Sequence, residues 1–279
     1  RKLWQKILEL RMATGEPYLI FSDTVNNAMP AHQRQLGFKV RQSNLCSEIM
    51  LHTGLDHLGE DRTAVCCLSS VNAEKFLEWK GNELFLEDVF RFLDNVLEDF
   101  IERAPKEMER AVYSAKRERS VGLGLMGFHS FLQSQGVAME SATAKAWNNV
   151  MFKHLRRGAD AASVKLAKER GPCPDAADCG VMARFSHKLA IAPTASISII
   201  CGGTSAGIEP IPANIYTHKT LSGSFSVKNP FLEAVLEKTS NNTPATWASI
   251  LEHEGSVQHL DFLTEHEKLV FRTAFEIDQ

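Results

Sequence analysis

The sequence predicts an α/β fold, because short apolar stretches with strand character alternate with long amphipathic helices. The clearest helix covers residues 83–103, where apolar side chains recur every three or four positions. Short strands are predicted at residues 63–68, after a glycine-containing loop, and at residues 188–192, which end at Pro193. With 279 residues, the chain can bury a large core as one α/β domain or as two smaller ones.

The N-terminal part begins with helical periodicity over residues 1–12 and continues, after a Gly-Glu-Pro break, into a short buried strand over residues 18–21. Residues 44–50 are predicted to form the next strand. Residues 52–61 are polar and contain two glycines, so they are predicted to form a loop.

The remaining helices follow from the same periodicity. The aromatic stripe of residues 83–103 is typical of core packing, and the acidic side chains, Asp94 among them, are predicted to lie mainly away from it. A second long helix covers residues 143–170 and ends at Gly171. Further helices are predicted at residues 231–238, 246–252 and 265–279.

Residues 122–127 match the glycine pattern of dinucleotide-binding turns. That pattern requires a hydrophobic strand before it and an acidic residue about 20 positions later, at the end of a second strand. Here residues 116–119 are charged, and Glu140 lies in a polar run. We therefore predict that these glycines let a strand pack closely on a helix at residues 128–133, and not that they bind NAD.

The composition argues against several classes of function. A net charge of −3 gives no basic surface for nucleic acid, and no apolar run is long enough to span a bilayer. Six cysteines, two of them adjacent, do not resemble a secreted disulfide framework. Cys173 and Cys179 lack metal-ligand spacing, so no metal site is predicted. The sequence predicts a cytoplasmic protein that binds neither nucleic acid nor membrane.

Asn44, Cys46 and Glu48 place an amide, a thiol and a carboxylate at alternate positions. In an extended strand these side chains leave one face about 6–7 Å apart, which is the scale of a ribose ring. A neighbouring carboxylate disfavours a thiolate nucleophile, so the thiol is better suited to carry a hydrogen atom. The alternative is a buried structural cysteine beside an N-capping asparagine. Considered by itself, this motif favours the structural cysteine over the hydrogen-atom carrier.

Cys66 and Cys67 follow in the predicted strand at residues 63–68. Adjacent residues of a strand point to opposite faces, so only one of these thiols can meet a substrate that lies over Cys46. The alternative is that both are core cysteines.

Pro193 is followed by a run of small hydroxyl side chains that includes Thr194, Ser196 and Ser198. Unpaired N–H groups in such a strand-to-helix turn bind anions, and the absence of a P-loop lysine predicts binding without hydrolysis. A Ser/Thr-rich turn that only caps the next helix explains the run equally well.

Taken together and in this order, these motifs resemble the catalytic large subunit of ribonucleotide reductase, most closely the aerobic class I enzymes. The resemblance runs from Trp4 almost to the last residue. It implies that residues 1–279 are a partial catalytic domain, the greater part of a ten-stranded α/β barrel, in which the Cys46 segment forms a loop. The family's N-terminal regulatory region and C-terminal part are absent. The motifs are residues 44–48, 66–70, 193–198 and 202–210.

The resemblance implies reduction of ribonucleoside diphosphates to 2′-deoxyribonucleotides for DNA synthesis. Cys46, as a thiyl radical, would take the 3′ hydrogen, while Glu48 accepts the 3′-hydroxyl proton and Asn44 binds the ribose. Cys66, with a second cysteine, would supply the reducing equivalents and become a disulfide. The substrate-binding residues implied are Ser43, Asn44, Leu45, Cys46, Ser47 and Glu48, with Pro193, Thr194, Ala195, Ser196 and Ile197 at the phosphates.

The resemblance also implies partners. No cofactor would bind directly, because a separate metal-containing beta subunit supplies the radical and thioredoxin or glutaredoxin supplies electrons. The complete large subunit would form a homodimer. The second redox cysteine is absent upstream of Cys46 and both ends look cut, so this fragment is expected to be inactive alone. Two alternatives remain: an adenosylcobalamin-dependent (class II) reductase, or a non-catalytic remnant that binds nucleotide or a partner.

Overall fold

A computed structural model describes residues 1–221 and 223–278 of the chain. These residues divide into two compact units. The first contains Arg1–Ser69, Leu86–Leu123 and Ala159–Ala190, and the second contains Ser70–Phe85, Gly124–Gly158 and the described chain from Ile191 onward. No helix within the described ranges combines the length and apolar character needed to cross a membrane.

Helices alternate with short strands along the chain, and the described strands pair in three two-stranded sheets, β1 with β2, β3 with β4 and β5 with β6. The helices are α1 (Lys2–Thr14), α2 (Ser22–Ala28), α3 (Ala31–Gln35), α4 (Phe76–Trp79), α5 (Phe85–Arg103), α6 (Glu109–Glu118), α7 (Phe128–Ser134), α8 (Ala142–Arg170), α9 (Pro174–Ala177), α10 (Ile197–Ile200), α11 (Pro230–Lys238), α12 (Pro244–Glu252) and α13 (Glu265–Val270). The strands are β1 (Gly54–Leu55), β2 (Asp61–Arg62), β3 (Leu68–Asn72), β4 (Gly122–Met126), β5 (Ile215–Thr220) and β6 (Gly223–Lys228). Single turns of 3₁₀ helix lie at Ala73–Lys75 and Lys106–Met108.

Apolar periodicity predicts the long helices correctly. The helix over residues 1–12 is α1, the helix over residues 83–103 is α5, and the helix over residues 143–170 is α8. Helix α8 is followed by Gly171 with φ of 87°, a left-handed conformation that glycine adopts at little cost. In the second unit, α11 and α12 lie where two of the last three helices are predicted.

Residues 18–21 do not form the predicted buried strand. No described strand pairs with them, and Tyr18 and Phe21 are 56% and 74% exposed. A run of four apolar residues satisfies the strand pattern, but a strand also needs a neighbour to accept its backbone hydrogen bonds. The loop predicted at residues 52–61 contains the small hairpin of β1 and β2.

The strand predicted at residues 63–68 begins later than expected. Strand β3 starts at Leu68, while residues 63–67 are irregular. Backbone pairing begins where the Gly122 N–H donates to the Cys67 carbonyl oxygen over 2.9 Å. This close approach favours glycine, because a Cβ at position 122 would lie 2.8 Å from Ala190 Cβ, which cannot rotate away, and 2.3 Å from Leu68 Cδ2.

Gly122 opens β4, so the first five residues of the Gly-x-Gly-x-x-Gly run form a strand, and only its last glycine, Gly127, lies in the turn to α7. Helix α7 follows at once, as predicted. The predicted buried strand over residues 188–192 is reduced to one parallel bridge between Leu189 and Leu123, and Ile191 is 39% exposed. Its pairing is cut short at Pro193, which has no N–H to donate.

The second unit has a compact apolar core built from β5, α11, α12, α13 and the segments between them. The hairpin of β5 and β6 has no predicted counterpart, although Phe225 and Val227 alternate with serines in β6; the strand is exposed along most of its length. The helix predicted over residues 265–279 ends at Val270, and its last residue, Gln279, lies outside the described residues. The buried core residues are Ile215, Leu232, Leu236, Trp247, Ile250, Val257, Leu260, Leu263, Val270 and Phe271.

Asp94 on α5 faces the core of the first unit, so the predicted outward orientation is wrong for this residue. Its carboxylate accepts hydrogen bonds from Arg119 Nε (2.9 Å), Arg184 Nε (2.9 Å) and Arg170 Nη1 (2.7 Å). Burial raises the pKa of Asp94, but the three guanidinium groups lower it more, so the net shift is downward. Charge pairing with these arginines thus holds Asp94 in the core, although the helical pattern places it on the polar side of α5.

Asp94→Asn is expected to destabilise the protein by about 3–5 kcal/mol, because it removes the charge of the buried carboxylate that Arg119, Arg170 and Arg184 share, and Glu98 pairs closely with Arg119 and not with the other two. Urea denaturation measures this loss. The matched control on the same helix is Asp99→Asn, whose exposed pair with Arg103 (2.9 Å) contributes at most about 1 kcal/mol. Because the pKa of Asp94 is lowered on folding, its contribution is present at neutral pH and is lost as the carboxylate is protonated in acid. Equal stability of the two variants would contradict this assignment.

Candidate active site

The segment around Cys46 is a tight turn and not the predicted strand over residues 44–50. Ser47 has φ of 64°, and its N–H donates to the Asn44 carbonyl oxygen over 3.1 Å. The loop implied by the family resemblance is therefore the better description. Leu45 is 91% exposed, so the turn projects its tip away from the core of the first unit.

The Asn44 side chain organises this turn. Its Nδ2 donates to Glu48 Oε2 over 2.7 Å, and its Oδ1 accepts from the Ile49 N–H over 3.1 Å. Ser43 Oγ donates to the Ile49 carbonyl oxygen over 2.8 Å. Side-chain bonds of this kind compete with strand pairing, which explains why the alternating pattern does not produce a strand here. Asn44 and Glu48 are held together as predicted, but through the turn and not along one strand face.

The adjacent cysteines lie in opposite environments, as the strand argument predicts. Cys66 is exposed, whereas Cys67 is buried with its Sγ 3.7 Å from the Leu93 carbonyl oxygen. Burial raises the pKa of Cys67 to about 11. Burial also raises the pKa of Cys66, and the negative charges of Glu48 and then Cys46 raise it further. Cys46, Glu48 and Cys66 are therefore close enough to interact electrostatically.

A cavity of about 320 Å³ adjoins these groups, and we call it the Asn44–Cys66 cavity. Ser43, Asn44, Cys66 and the buried Arg62 are among the residues that line it. Glu48 lines a second cavity, described below, and Cys46 lies exposed on the turn. The structure thus brings the Asn44 amide and the Cys66 thiol to one cavity.

Arg62 is held rigidly beside the Asn44–Cys66 cavity. Its Nη1 and Nη2 donate to the two carboxylate oxygens of Asp175 over 2.6 and 2.9 Å, and its Nε donates to Asp56 over 2.8 Å. Its guanidinium carbon also lies 4.6 Å from the centre of the Phe38 ring. Burial raises the pKa of Asp56, but hydrogen bonds, chiefly from Arg62, hold it at about 2. The sequence gives no signal for this group, because Arg62 and Asp175 are 113 positions apart.

The second cavity, of about 190 Å³, is the Glu48–His187 cavity. Glu48, Cys67, Ser120 and His187 are among its lining residues. Ser120 Oγ lies 3.1 Å from His187 Nδ1 and donates to Glu118 Oε2 over 3.1 Å. No sequence motif relates Ser120, Glu118 and His187, so their proximity is evident only in the folded chain.

The predicted phosphate segment belongs to the second unit. Thr194 is buried with φ of 55°, and its Oγ1 accepts from the Gly207 N–H over 2.7 Å. Among the described residues, no acceptor pairs with the backbone N–H groups of Ala195, Ser196 and Ile197. Ser196 precedes α10 but makes no side-chain capping bond, which disfavours the interpretation of the run as a simple helix cap.

Two sequence motifs meet in this segment. A Cβ at Gly207 would lie 3.3 Å from the Ala192 carbonyl oxygen and 3.5 Å from that of Pro193. Position 207 also has φ of 48°, so both the close carbonyl oxygens and the left-handed backbone favour glycine there. The glycine-rich run at residues 202–210 therefore supports the shape of the turn that exposes the free N–H groups.

A family model described as the barrel domain of ribonucleotide reductase matches residues 1–178 and 180–279. The chain belongs to this ribonucleotide reductase family. The resemblance inferred from motif order is thereby confirmed. The chain is 47% identical over 281 residues to the ribonucleoside-diphosphate reductase large subunit of Invertebrate iridescent virus 3. It is 43% identical over 282 residues to the putative large subunit of Frog virus 3 (isolate Goorha).

Both alignments include 100% of this chain but only 44% and 48% of those proteins, so the chain spans about half their length. Among solved structures, the class Id ribonucleotide reductase alpha subunit of Actinobacillus ureae is similar with a TM-score of 0.89 and 40% identity. That match covers 98% of this chain and 49% of the alpha subunit.

Proposed function

We propose that this reductase chain forms part of a class I catalytic subunit that reduces ribonucleoside diphosphates to 2′-deoxyribonucleotides by thiyl-radical chemistry. The observation that carries the proposal is the Cys46 turn, in which Asn44 holds Glu48 and both Glu48 and Cys46 act electrostatically on Cys66. Residues 1–279 would then be a partial catalytic domain within a ten-stranded α/β barrel that the rest of the subunit completes.

The chemical steps balance with these groups. The Cys46 thiyl radical takes the 3′ hydrogen, and the Glu48 carboxylate accepts the 3′-hydroxyl proton while Asn44 orients the ribose. The 2′-hydroxyl leaves as water with a proton from the cysteine pair. Cys66 and a second cysteine then supply two electrons and one further proton and become a disulfide. Glu48 returns its proton to the 3′ oxygen, and Cys46 returns the 3′ hydrogen. The raised pKa of Cys66 suits this role, because a thiol that stays protonated can deliver a hydrogen.

The phosphates of the substrate would bind at Pro193, Thr194, Ala195, Ser196 and Ile197. Free backbone N–H groups in this turn support the proposal, since such groups bind anions without a charged side chain. Within the turn around Cys46, the exposed Leu45 and the half-buried Ser47 would contact the nucleoside together with Ser43.

The proposed assembly has further members. A separate metal-containing beta subunit supplies the radical, and thioredoxin or glutaredoxin reduces the disulfide. The remaining segments of the large subunit, which would form a cytoplasmic homodimer, provide the second redox cysteine. The names of the three relatives described above, two diphosphate reductases and a class Id alpha subunit, favour class I over the adenosylcobalamin-dependent alternative.

Glu48→Gln tests the proposal in the complete large subunit assembled with a radical-generating subunit. The amide keeps a hydrogen bond to Asn44 but cannot accept the 3′-hydroxyl proton, so we expect kcat to fall by about 10²–10⁴-fold with nucleotide binding retained. Product formation and nucleotide affinity are measured in parallel. Glu60→Gln, an exposed carboxylate in the same unit, is the control and should match wild type.

Two outcomes count against the proposal. Unchanged kcat in Glu48→Gln would remove the general-base role. Nucleotide binding without any product from the wild-type assembly would instead support the non-catalytic remnant.

A further inference from the structure

A hydrogen-bonded chain of titratable groups runs from the interior of the first unit to the Glu48–His187 cavity. At its inner end, Glu118 is 2% exposed and its Oε2 accepts from Gln33 Nε2 over 3.2 Å and from Ser120 Oγ over 3.1 Å. Ser120 Oγ is also 3.1 Å from His187 Nδ1. A hydroxyl between a carboxyl group and an imidazole can accept from one and donate to the other, so this arrangement can pass a proton.

The outer end of this chain opens on the same cavity as Glu48. Ser120 and His187 both line the Glu48–His187 cavity, and no described residue hydrogen-bonds to His187 Nε2. A cavity of about 190 Å³ with these polar groups on its wall has room for several water molecules. Water can therefore bridge the imidazole and the Glu48 carboxyl group.

We propose that Ser120 and His187 relay protons between Glu48 and the buried carboxyl group of Glu118, so that Glu48 is emptied of the substrate proton during turnover. The relay rests on the proposed function, because it serves the Glu48 general base. Ser120, His187 and Glu118 are positioning residues in this scheme, since they act through Glu48 and not on the substrate.

The proton movements balance. Glu48 releases its proton through cavity water to His187 Nε2, and His187 gives its Nδ1 proton to Ser120 Oγ. Ser120 gives its own hydroxyl proton to Glu118 Oε2. The chain ends with a neutral Glu118 carboxyl group and the other neutral tautomer of His187. The reverse sequence restores the starting state.

The charges around Glu118 make its carboxylate suitable to hold the proton that Glu48 releases. Burial is the largest effect on Glu118 and raises its pKa. Arg62 lowers the pKa and Asp175 raises it, and the net value is about 7. Hydrogen bonds from Ser120 and Gln33 lower it. Glu118 therefore changes charge near neutral pH. The Glu118 carboxylate accepts a proton only when it is ionised, above about pH 7. Below that pH it is already protonated, so the relay cannot take a further proton from Glu48.

His187 stays neutral in the same pH range and works by exchanging tautomers. Burial lowers its pKa to about 4, and the positive charges of His32 and Lys188 lower it further. The pKa of Cys173, which Glu118 also raises, is raised mainly by burial, so Cys173 remains a thiol. Glu118 is thus the group whose charge changes along this chain near neutrality.

Ser120→Ala in the complete, assembled subunit tests the relay. Wild-type kcat should fall as the pH drops through about 7, where Glu118 becomes protonated. Ser120→Ala should lower kcat at pH 8 by about tenfold and remove this inflection, because Glu118 no longer communicates with the cavity. Ser120→Thr, which keeps the hydroxyl, should restore both features.

Ser186→Ala is the matched control. Ser186 is equally buried and hydrogen-bonds to His32 Nε2 over 2.9 Å and lies 3.5 Å from Cys173 Sγ, outside the Glu118 chain. It should keep the wild-type pH profile. A purely structural role for Ser120 would lower activity equally at all pH values and would leave the inflection in place, which would overturn the relay.

A second measurement decides the relay even if the assembly makes no product. The carboxyl stretch of Glu118, isolated by subtracting the infrared spectrum of Glu118→Gln, reports its protonation in the full chain after a jump to low pH. Protonation should be about tenfold slower in Ser120→Ala than in wild type or Ser120→Thr. Equal rates would overturn the relay, whereas slowed protonation together with an inactive wild-type assembly would leave the relay standing and reject the proposed function.

Discussion

Cys46→Ser is expected to abolish deoxynucleotide formation by the complete large subunit assembled with its radical-generating partner. An O–H bond is stronger than an S–H bond, so a serine oxygen radical would not be regenerated by the substrate steps and would not form from the incoming radical. Because the Cys46 side chain is exposed on the turn, its replacement removes little packing. The free energy of unfolding should change by less than about 0.5 kcal/mol, so the loss of activity would be chemical.

The control for Cys46→Ser is Cys201→Ser, a second exposed cysteine that lies in the second unit. Turnover of radiolabelled ribonucleoside diphosphate is measured for both variants and for wild type under saturating reductant. The control should retain full activity. Full activity in Cys46→Ser would exclude the thiyl mechanism, and loss of activity in both variants would indicate that exposed thiols matter for a reason other than radical transfer.

The sequence predicts helices better than strands in this chain, and the reason is physical. The apolar stripe of α5 is sufficient for a helix, because all of a helix's backbone hydrogen bonds lie within the segment itself. Strands at residues 18–21 and 188–192 needed partners elsewhere in the chain. Periodicity within the segment carries no information about such partners, so both predictions fail as regular structure.

The sequence was sufficient to select the residues of the candidate site, but it did not predict how their side chains are arranged. The opposite environments of Cys66 and Cys67 follow from the alternation of an extended backbone, even though residues 63–67 are not a regular strand. The spacing of Asn44 and Glu48 instead produces contact across a turn, through a 2.7 Å hydrogen bond. Local side-chain to backbone bonds decided this outcome, and a period-two pattern does not represent them.

Buried charge was the least predictable feature. Asp94 follows the polar side of the helical pattern yet lies in the core, because three arginines from distant segments surround it. Arg62 and Glu118 are likewise defined by partners far away in the sequence. Long-range pairs of this kind appear only when the chain is folded, so functional roles that depend on them, such as the proposed proton relay, cannot be derived from sequence spacing.

Cys66→Ser is expected to separate hydrogen abstraction from reduction in the assembled enzyme. Cys46 can still take the 3′ hydrogen and start the reaction, but the intermediate has no reducing thiol pair to accept electrons from. It should therefore decay with release of free base in place of deoxynucleotide, and deoxynucleotide formation should fall below detection. Chromatography of the reaction mixture measures both products.

Cys67→Ser provides the matched comparison, because it makes the same atomic change one residue away. Cys67 is buried with its Sγ near the Leu93 carbonyl oxygen and on the wall of the Glu48–His187 cavity, whereas Cys66 is exposed and lines the Asn44–Cys66 cavity. Serine at position 67 should cost at most about 1–3 kcal/mol of stability and leave the ratio of deoxynucleotide to free base at its wild-type value. If both variants released base to the same extent, the two thiols would be equivalent, and their opposite environments would carry no mechanistic meaning.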